Sequence, residues 1–285
     1  MKIAIASCAN INEVPDQPNW RDLGKEGAEL LLLVGDQIYY NKLSHDPGQN
    51  VQDFKQRLLV QYQKQWGEPH FKALLESGLP WTAIWDDHDY AWNNAGVEVD
   101  AARKAATTEL FLTYQKGTIR PNRSTVHHDF VRDGVHFIML DCRSWRDQPG
   151  PQATPLGLAQ EQWLWEKLAQ PAQAIVVVCG SPLSFGNYSL EHFPAFTNRL
   201  LEFLNAKDLR IFFVGGDTHD NSYHAEGRTI ELVSSGIARK YLFANKRNYA
   251  LLSLDLQAKR AVYDMVSGKK RLSTSFNLST WQEIL

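Results

Sequence analysis

Three carboxylates crowd one histidine in Trp85-Asp86-Asp87-His88-Asp89-Tyr90. Charges that close repel one another unless a cation or solvent screens them. A metal site and a solvated acidic loop both satisfy this segment taken alone. The apolar run Trp81 to Trp85 before it and the aromatic residues around it point to a partly buried cleft, which keeps the metal reading open. Gly215-Gly216-Asp217-Thr218-His219 sets a carboxylate and an imidazole two residues apart, where both reach one centre, and its glycines permit close backbone approach. Oxygen and imidazole together suit iron, manganese or zinc. Gly35-Asp36-Gln37-Ile38-Tyr39 reads equally as a turn with a capping aspartate. Cys8, beside Ser7 and Asn10, ends another apolar run. A free cysteine is usually inert packing, and only this strand-end position makes ligation an alternative. Cys142 and Cys179 have no argued partner and read as core thiols.

All these residues follow short apolar runs that stop abruptly. Lys2 to Ala6, Leu30 to Val34, Trp81 to Trp85, Val135 to Leu140, Ala174 to Val178 and Ile211 to Val214 read as buried strands. Helical stretches lie between them: Val51 to Lys64, Ala101 to Gln115, Leu158 to Ala169 and Ala195 to Ala206. Strands alternating with helices predict an α/β layered domain with a parallel component, in which ligands bind at the carboxyl ends of strands. Thr229 to Ser234, Tyr249 to Leu256 and Arg260 to Val266 lack intervening helices and predict antiparallel strands completing a second sheet.

The bounds fit one domain over residues 1–285, with 44% hydrophobic and 22% charged residues, as in an ordinary globular protein. A net charge of -2 gives no case for nucleic acid as a partner. Three cysteines cannot all pair, which fits a reducing compartment. Met1 to Asn10 lacks a leader's apolar core, and no stretch of about 20 apolar residues spans a bilayer. The expectation is a soluble cytoplasmic protein acting on a small molecule.

The ordered set of motifs resembles the PhoD-like alkaline phosphatase family, a branch of the calcineurin-like metallophosphoesterases. Ala6-Ser7-Cys8, Gly35-Asp36-Gln37-Ile38-Tyr39 and Trp85 to Tyr90 with Asn93-Asn94-Ala95-Gly96 are similar to its successive motifs. So are Leu140-Asp141-Cys142-Arg143, Gln162-Trp163-Leu164, Gly216-Asp217-Thr218-His219 and Ser234-Ser235-Gly236. Ala91 stands where the family has a glycine. The resemblance implies a sandwich of two mixed β-sheets flanked by helices, and hydrolysis of phosphate mono- or diesters by a multinuclear metal centre. It makes Asp36 the bridge, with Cys8, Tyr39 and His219 on a first metal. Thiolate and phenolate suit Fe3+ there. Asp87 and Asp217 then hold a second, harder site for Ca2+, Mg2+ or Mn2+. By the same resemblance His88 is the general acid, and Asn94 a donor near the phosphate. Arg143 is either a forked phosphate donor or a surface salt bridge. Asp89, Tyr90 and Asp220 shape the loops. The alternative is a non-catalytic metal- or nucleotide-binding module on the same scaffold.

Overall fold

In the computed structural model, which describes residues 1–40, 49–115, 117–119, 124–186, 189–241 and 244–284, the apolar runs become strands buried on both faces. In chain order these are β1 (Lys2–Ala6), β2 (Leu30–Val34), β3 (Trp81–Ile84), β4 (His128–Arg132), β5 (Val135–Met139), β6 (Ala174–Val178) and β7 (Ile211–Gly215). Then follow β8 (Ser222–Glu226), β9 (Thr229–Val233), β10 (Arg239–Tyr241), β11 (Ala244–Lys246), β12 (Asn248–Asp255), β13 (Arg260–Ser267), β14 (Lys270–Asn277) and β15 (Gln282–Ile284). The helices are α1 (Asn19–Gly24), α2 (Val51–Trp66), α3 (Pro69–Leu75), α4 (Asp87–Tyr90), α5 (Ala101–Tyr114), α6 (Leu158–Leu168) and α7 (Pro194–Ala206).

One sheet has the order β15-β14-β13-β12-β1-β2-β3, the other β4-β5-β6-β7-β9-β8, and β10 and β11 form a hairpin. Both sheets are mixed. β1, β2 and β3 run parallel, and β12 adds to β1 antiparallel. In the other sheet β5, β6, β7 and β9 are parallel between antiparallel edges. The later runs only partly follow the sequence reading, the last two being antiparallel as expected. Thr229–Val233 pairs parallel with β7, and the strands from Asn248 onward extend the first sheet. The hairpins β12–β13–β14 grow from the edge that β1 leaves open.

Alternation along the second sheet assigns its two faces. Phe212 and Val214 belong to the larger apolar core, which also takes in residues of β1 and β2. Ile211 and Phe213 face the other way, against Leu164 and Leu168 of α6 and Phe196, Leu200 and Leu204 of α7. Asn50 and Asp100 cap α2 and α5 by accepting backbone N–H groups of the first turn.

The sheets meet where β1 and β9 end. Ser7 Oγ donates to Ser234 O at 2.9 Å, and Ser234 Oγ returns a bond to Ile5 O at 2.8 Å. Gly216 packs into the same seam. A Cβ there would collide with Val34 O and come within 2.9 Å of Ser7 Oγ. Gly216→Ala should therefore lower stability by about 1–3 kcal/mol through overpacking. Urea denaturation of the two proteins measures this. An unchanged midpoint would mean that the seam has slack.

Candidate metal centre

The parallel strands of both sheets deliver their carboxyl ends to one place, and the turns there are sharply bent. Cys8, Asp36, Asn94, Asp217 and His219 all have φ between +56° and +66°. Residues other than glycine adopt this conformation at a cost, and it persists where the surroundings over-determine it. For Asp36 the over-determination is visible. The Asp89 carboxylate accepts the amides of Asp36 (2.5 Å), Gln37 (2.9 Å), Ile38 (3.1 Å) and Asp86 (3.1 Å). Asp89 thus ties the turn after β2 to the turn after β3.

Among the described residues four groups of side chains could each hold a cation, with one ligand atom per residue lying within 4.8 Å of the others; one is Asp16, Glu68 and His70, and the other three share these turns. Cys8, Asp36 and His219 form one; Asp36, Asp86, Asp87 and Asp217 another; Asp36, Asp87 and His88 a third. Asp36 belongs to all three. Tyr39 joins the first, its Oη 3.2 Å from Asp36 Oδ2 and 3.4 Å from His219 Nε2. Cys8 Sγ lies 3.5 Å from the same Asp36 oxygen and accepts a bond from Ser235 Oγ at 3.1 Å. The residues named for both metals from the sequence are therefore brought together around Asp36.

Other placements differ in detail. Asn94 meets the cluster through its backbone, whose amide donates to Asp87 Oδ2 at 2.5 Å. The His88 ring stacks on Tyr39 at 4.3 Å between centroids, and its Nδ1 is buried without a partner among the described residues. Arg143 is wholly buried, which removes the surface salt bridge. Its Nε donates to Asp86 Oδ1 and its Nη2 to Ser181 Oγ at 3.1 Å, leaving Nη1 without a partner among the described residues. The sequence reading gave Asp86 no role. Its only signal there was its place in the Asp-Asp-His-Asp run. Ser235 lay in the Ser234-Ser235-Gly236 motif without a role, and Ser181 and Arg239 had none assigned.

Electrostatics fit a cation. Burial, then the charges of Cys8, Asp87, Asp86 and Asp89, push the Asp36 carboxyl well above its usual range. Burial and the neighbouring Asp86 and Asp87 raise Asp217 to about 8. Burial likewise raises Cys8 and Tyr39. Burial also works against an ionised Asp87, yet Arg143, His88 and the amides of Asn94 and His88 outweigh it and hold Asp87 low. Asp86 Oδ2 is buried with no donor among the described residues. Oxygen, thiol and imidazole donors left short of positive charge form a fitting set for metal ions.

The chain matches the PhoD-like phosphatase description over residues 3–247. It belongs to that family. Alkaline phosphatase D of Bacillus subtilis (strain 168) is 26% identical over 273 residues, which cover 77% of this chain and 46% of that protein. The chain thus spans about half the length of this curated relative. A solved PhoD structure superposes with a TM-score of 0.77 at 20% identity, over 100% of this chain and 71% of that one. A dimetal phosphatase from Danio rerio gives 0.61 at 11% identity, covering 96% and 98%. A purple acid phosphatase from yellow lupin (Lupinus luteus) seeds gives 0.61 at 12%, covering 100% and 52%. At these identities the superpositions establish the sandwich fold of the family.

A titration consequence follows from Asp217. With its carboxyl at about 8, it holds a proton at pH 7 in the metal-free protein, and a cation must displace that proton. Apparent affinity for Mn2+ should therefore rise as pH increases through about 8. Calorimetry at pH 7 in two buffers of different ionisation enthalpy should record protons released per ion bound. Binding without proton release would take Asp217 out of the ligand set.

Proposed function

We propose that the chain hydrolyses phosphate esters with two or more bound metal ions, as a single catalytic domain. The observation that carries this reading is the Asp36 carboxylate, common to the three candidate ligand groups at the strand ends. Asp36 is the bridge. Cys8, Tyr39 and His219 complete a first site, and Asp87 and Asp217 a second, with the unpartnered Asp86 Oδ2 beside it. Bound cations supply Lewis-acid activation of water and charge neutralisation at the phosphate.

The donor sets support Fe3+ at the first site, where a thiol and a phenol stand together. Ca2+, Mg2+ or Mn2+ suits the carboxylate-rich second site. The three buried free thiols support a reducing, cytoplasmic compartment. No helix among the described residues is long and apolar enough to cross a membrane. The substrate is a small-molecule phosphate ester, and turnover of p-nitrophenyl phosphate and its bis ester, with and without chelator, tests the activity.

The residues divide the work. Asp89 fixes the Asp36 turn by its four backbone amides. Arg143 neutralises Asp86, and its free Nη1 and the Asn94 segment are the donors nearest a phosphate oxygen. His88 gives its proton to the departing oxygen, and its ring packs against Tyr39 at an interplanar angle of 32°.

General acids contribute typically about 10²–10⁴-fold, and most where the leaving group is poor. His88→Ala should therefore slow alkyl phosphates far more than p-nitrophenyl phosphate at unchanged metal content. Equal losses, with chemistry limiting, would reduce His88 to a positioning residue; lost metal would make it a ligand. The iron assignment has an optical test. The purified protein should show a visible charge-transfer band that Tyr39→Phe shifts or removes. A colourless, active protein holding only zinc would exclude Fe3+.

A further inference from the structure

Arg239, on β10, is a second arginine facing the centre, in a segment with no acidic motif. Its Cζ lies 4.8 Å from the centroid of the Tyr39 ring. That ring stacks on His88, and its hydroxyl points to Asp36 and His219. Arg239 therefore stands one aromatic ring outward from the candidate ligands, on the same tyrosine that positions His88. Arg143 is sealed in the interior, whereas the Arg239 side chain keeps 21% of its surface open. Glu13 pairs with Nη1 of the guanidinium, and Glu13 is itself 33% exposed. Nε has no partner among the described residues. Nε belongs to the Nε–Nη2 edge with which an arginine grips a carboxylate or phosphate in parallel bonds.

We propose that Arg239 is a specificity residue of a leaving-group subsite, and that the preferred substrates are phosphate esters whose alcohol carries a second anionic group. This rests on the phosphoesterase reading. An oxygen bonded to phosphorus sits among the carboxylates around Asp36. A group that reaches Arg239 must extend past the Tyr39 ring, against which His88 also packs. Only the alcohol of the ester has that length. The Nε donor, buried without a partner among the described residues, takes an anion there, and the Glu13 pair keeps the arginine oriented.

The test compares three substrates on one skeleton: glycerol 3-phosphate, 3-phosphoglycerate and glycerol 1,3-bisphosphate. Wild type, Arg239→Ala, Arg239→Lys and Glu13→Gln are assayed, with melting curves and metal content to verify each fold. Arg239→Ala should lower kcat/KM for the two anionic alcohols by roughly 10- to 100-fold, mainly through KM, and change glycerol 3-phosphate little. Arg239→Lys should restore part of the loss, since it keeps the charge and loses the fork. Glu13→Gln should lower KM for the anionic substrates. Whichever anionic substrate shows the larger gap identifies carboxylate or phosphate as the group held. Equal losses on all three would put Arg239 on the transferred phosphate and overturn the subsite, as would no loss on any. Absence of turnover of every ester by metal-loaded wild type would instead remove the phosphoesterase reading.

Discussion

Four carboxylates, from Asp36, Asp86, Asp87 and Asp217, converge within 4.8 Å, three of them on residues almost wholly removed from water. Like charges at such range cannot all ionise in a poorly solvated site unless positive charge is brought in. Arg143 answers for one of them through Asp86. The others remain a standing demand for cations, and the surrounding structure keeps them from relaxing apart. Asp89 gathers the amides of two turns, the left-handed residues fix the direction of each side chain, and Gly216 lets the sheets close. Each left-handed position costs on the order of 1–3 kcal/mol on its own account. Such expense at five positions of one site is coherent only if binding recovers it.

Much of this was legible in the sequence because a parallel strand ends where its apolar run ends. Val34 followed by Gly35-Asp36, and Val214 by Gly215-Gly216-Asp217, marked both the strand and the functional turn. Exposed strands escaped for the converse reason. Ser222–Glu226 and Lys270–Asn277 are largely exposed, so their residues carry no apolar run to read. Thr229–Val233 looked like a strand and was one, but its parallel partner β7 lies beyond β8 in sequence, and no local pattern records a pairing that skips a strand.

The site was legible in its ligand types and opaque in its supports. Ser235 touches Cys8 across 227 residues of chain, and Ser181 reaches Asp86 across 95. Such contacts depend on how the two sheets are apposed, which spacing within a motif cannot convey. Arg143 shows the same limit from the other side. Its type suggested a phosphate fork or a surface pair, while its wholly buried position, known only from packing, commits Nε and Nη2 to protein groups. The aromatic residues divide similarly: Trp20 and Trp85 are core, whereas Trp145 lies 56% exposed beneath the Lys104 ammonium.

The pairing of β1 with β12 has a temporal side. Ile3 is bonded into register with Leu252, so the strand that carries Cys8 gains its second neighbour only when a segment some two hundred and fifty residues later has been made. At roughly 5–20 residues per second on the ribosome, that is a wait of about 12–50 seconds. During this interval the acidic turns after β2 and β3 exist without Asp217, His219 and Ser235, which arrive late in synthesis. Until those residues emerge, a nascent chain holds only part of the candidate ligand set.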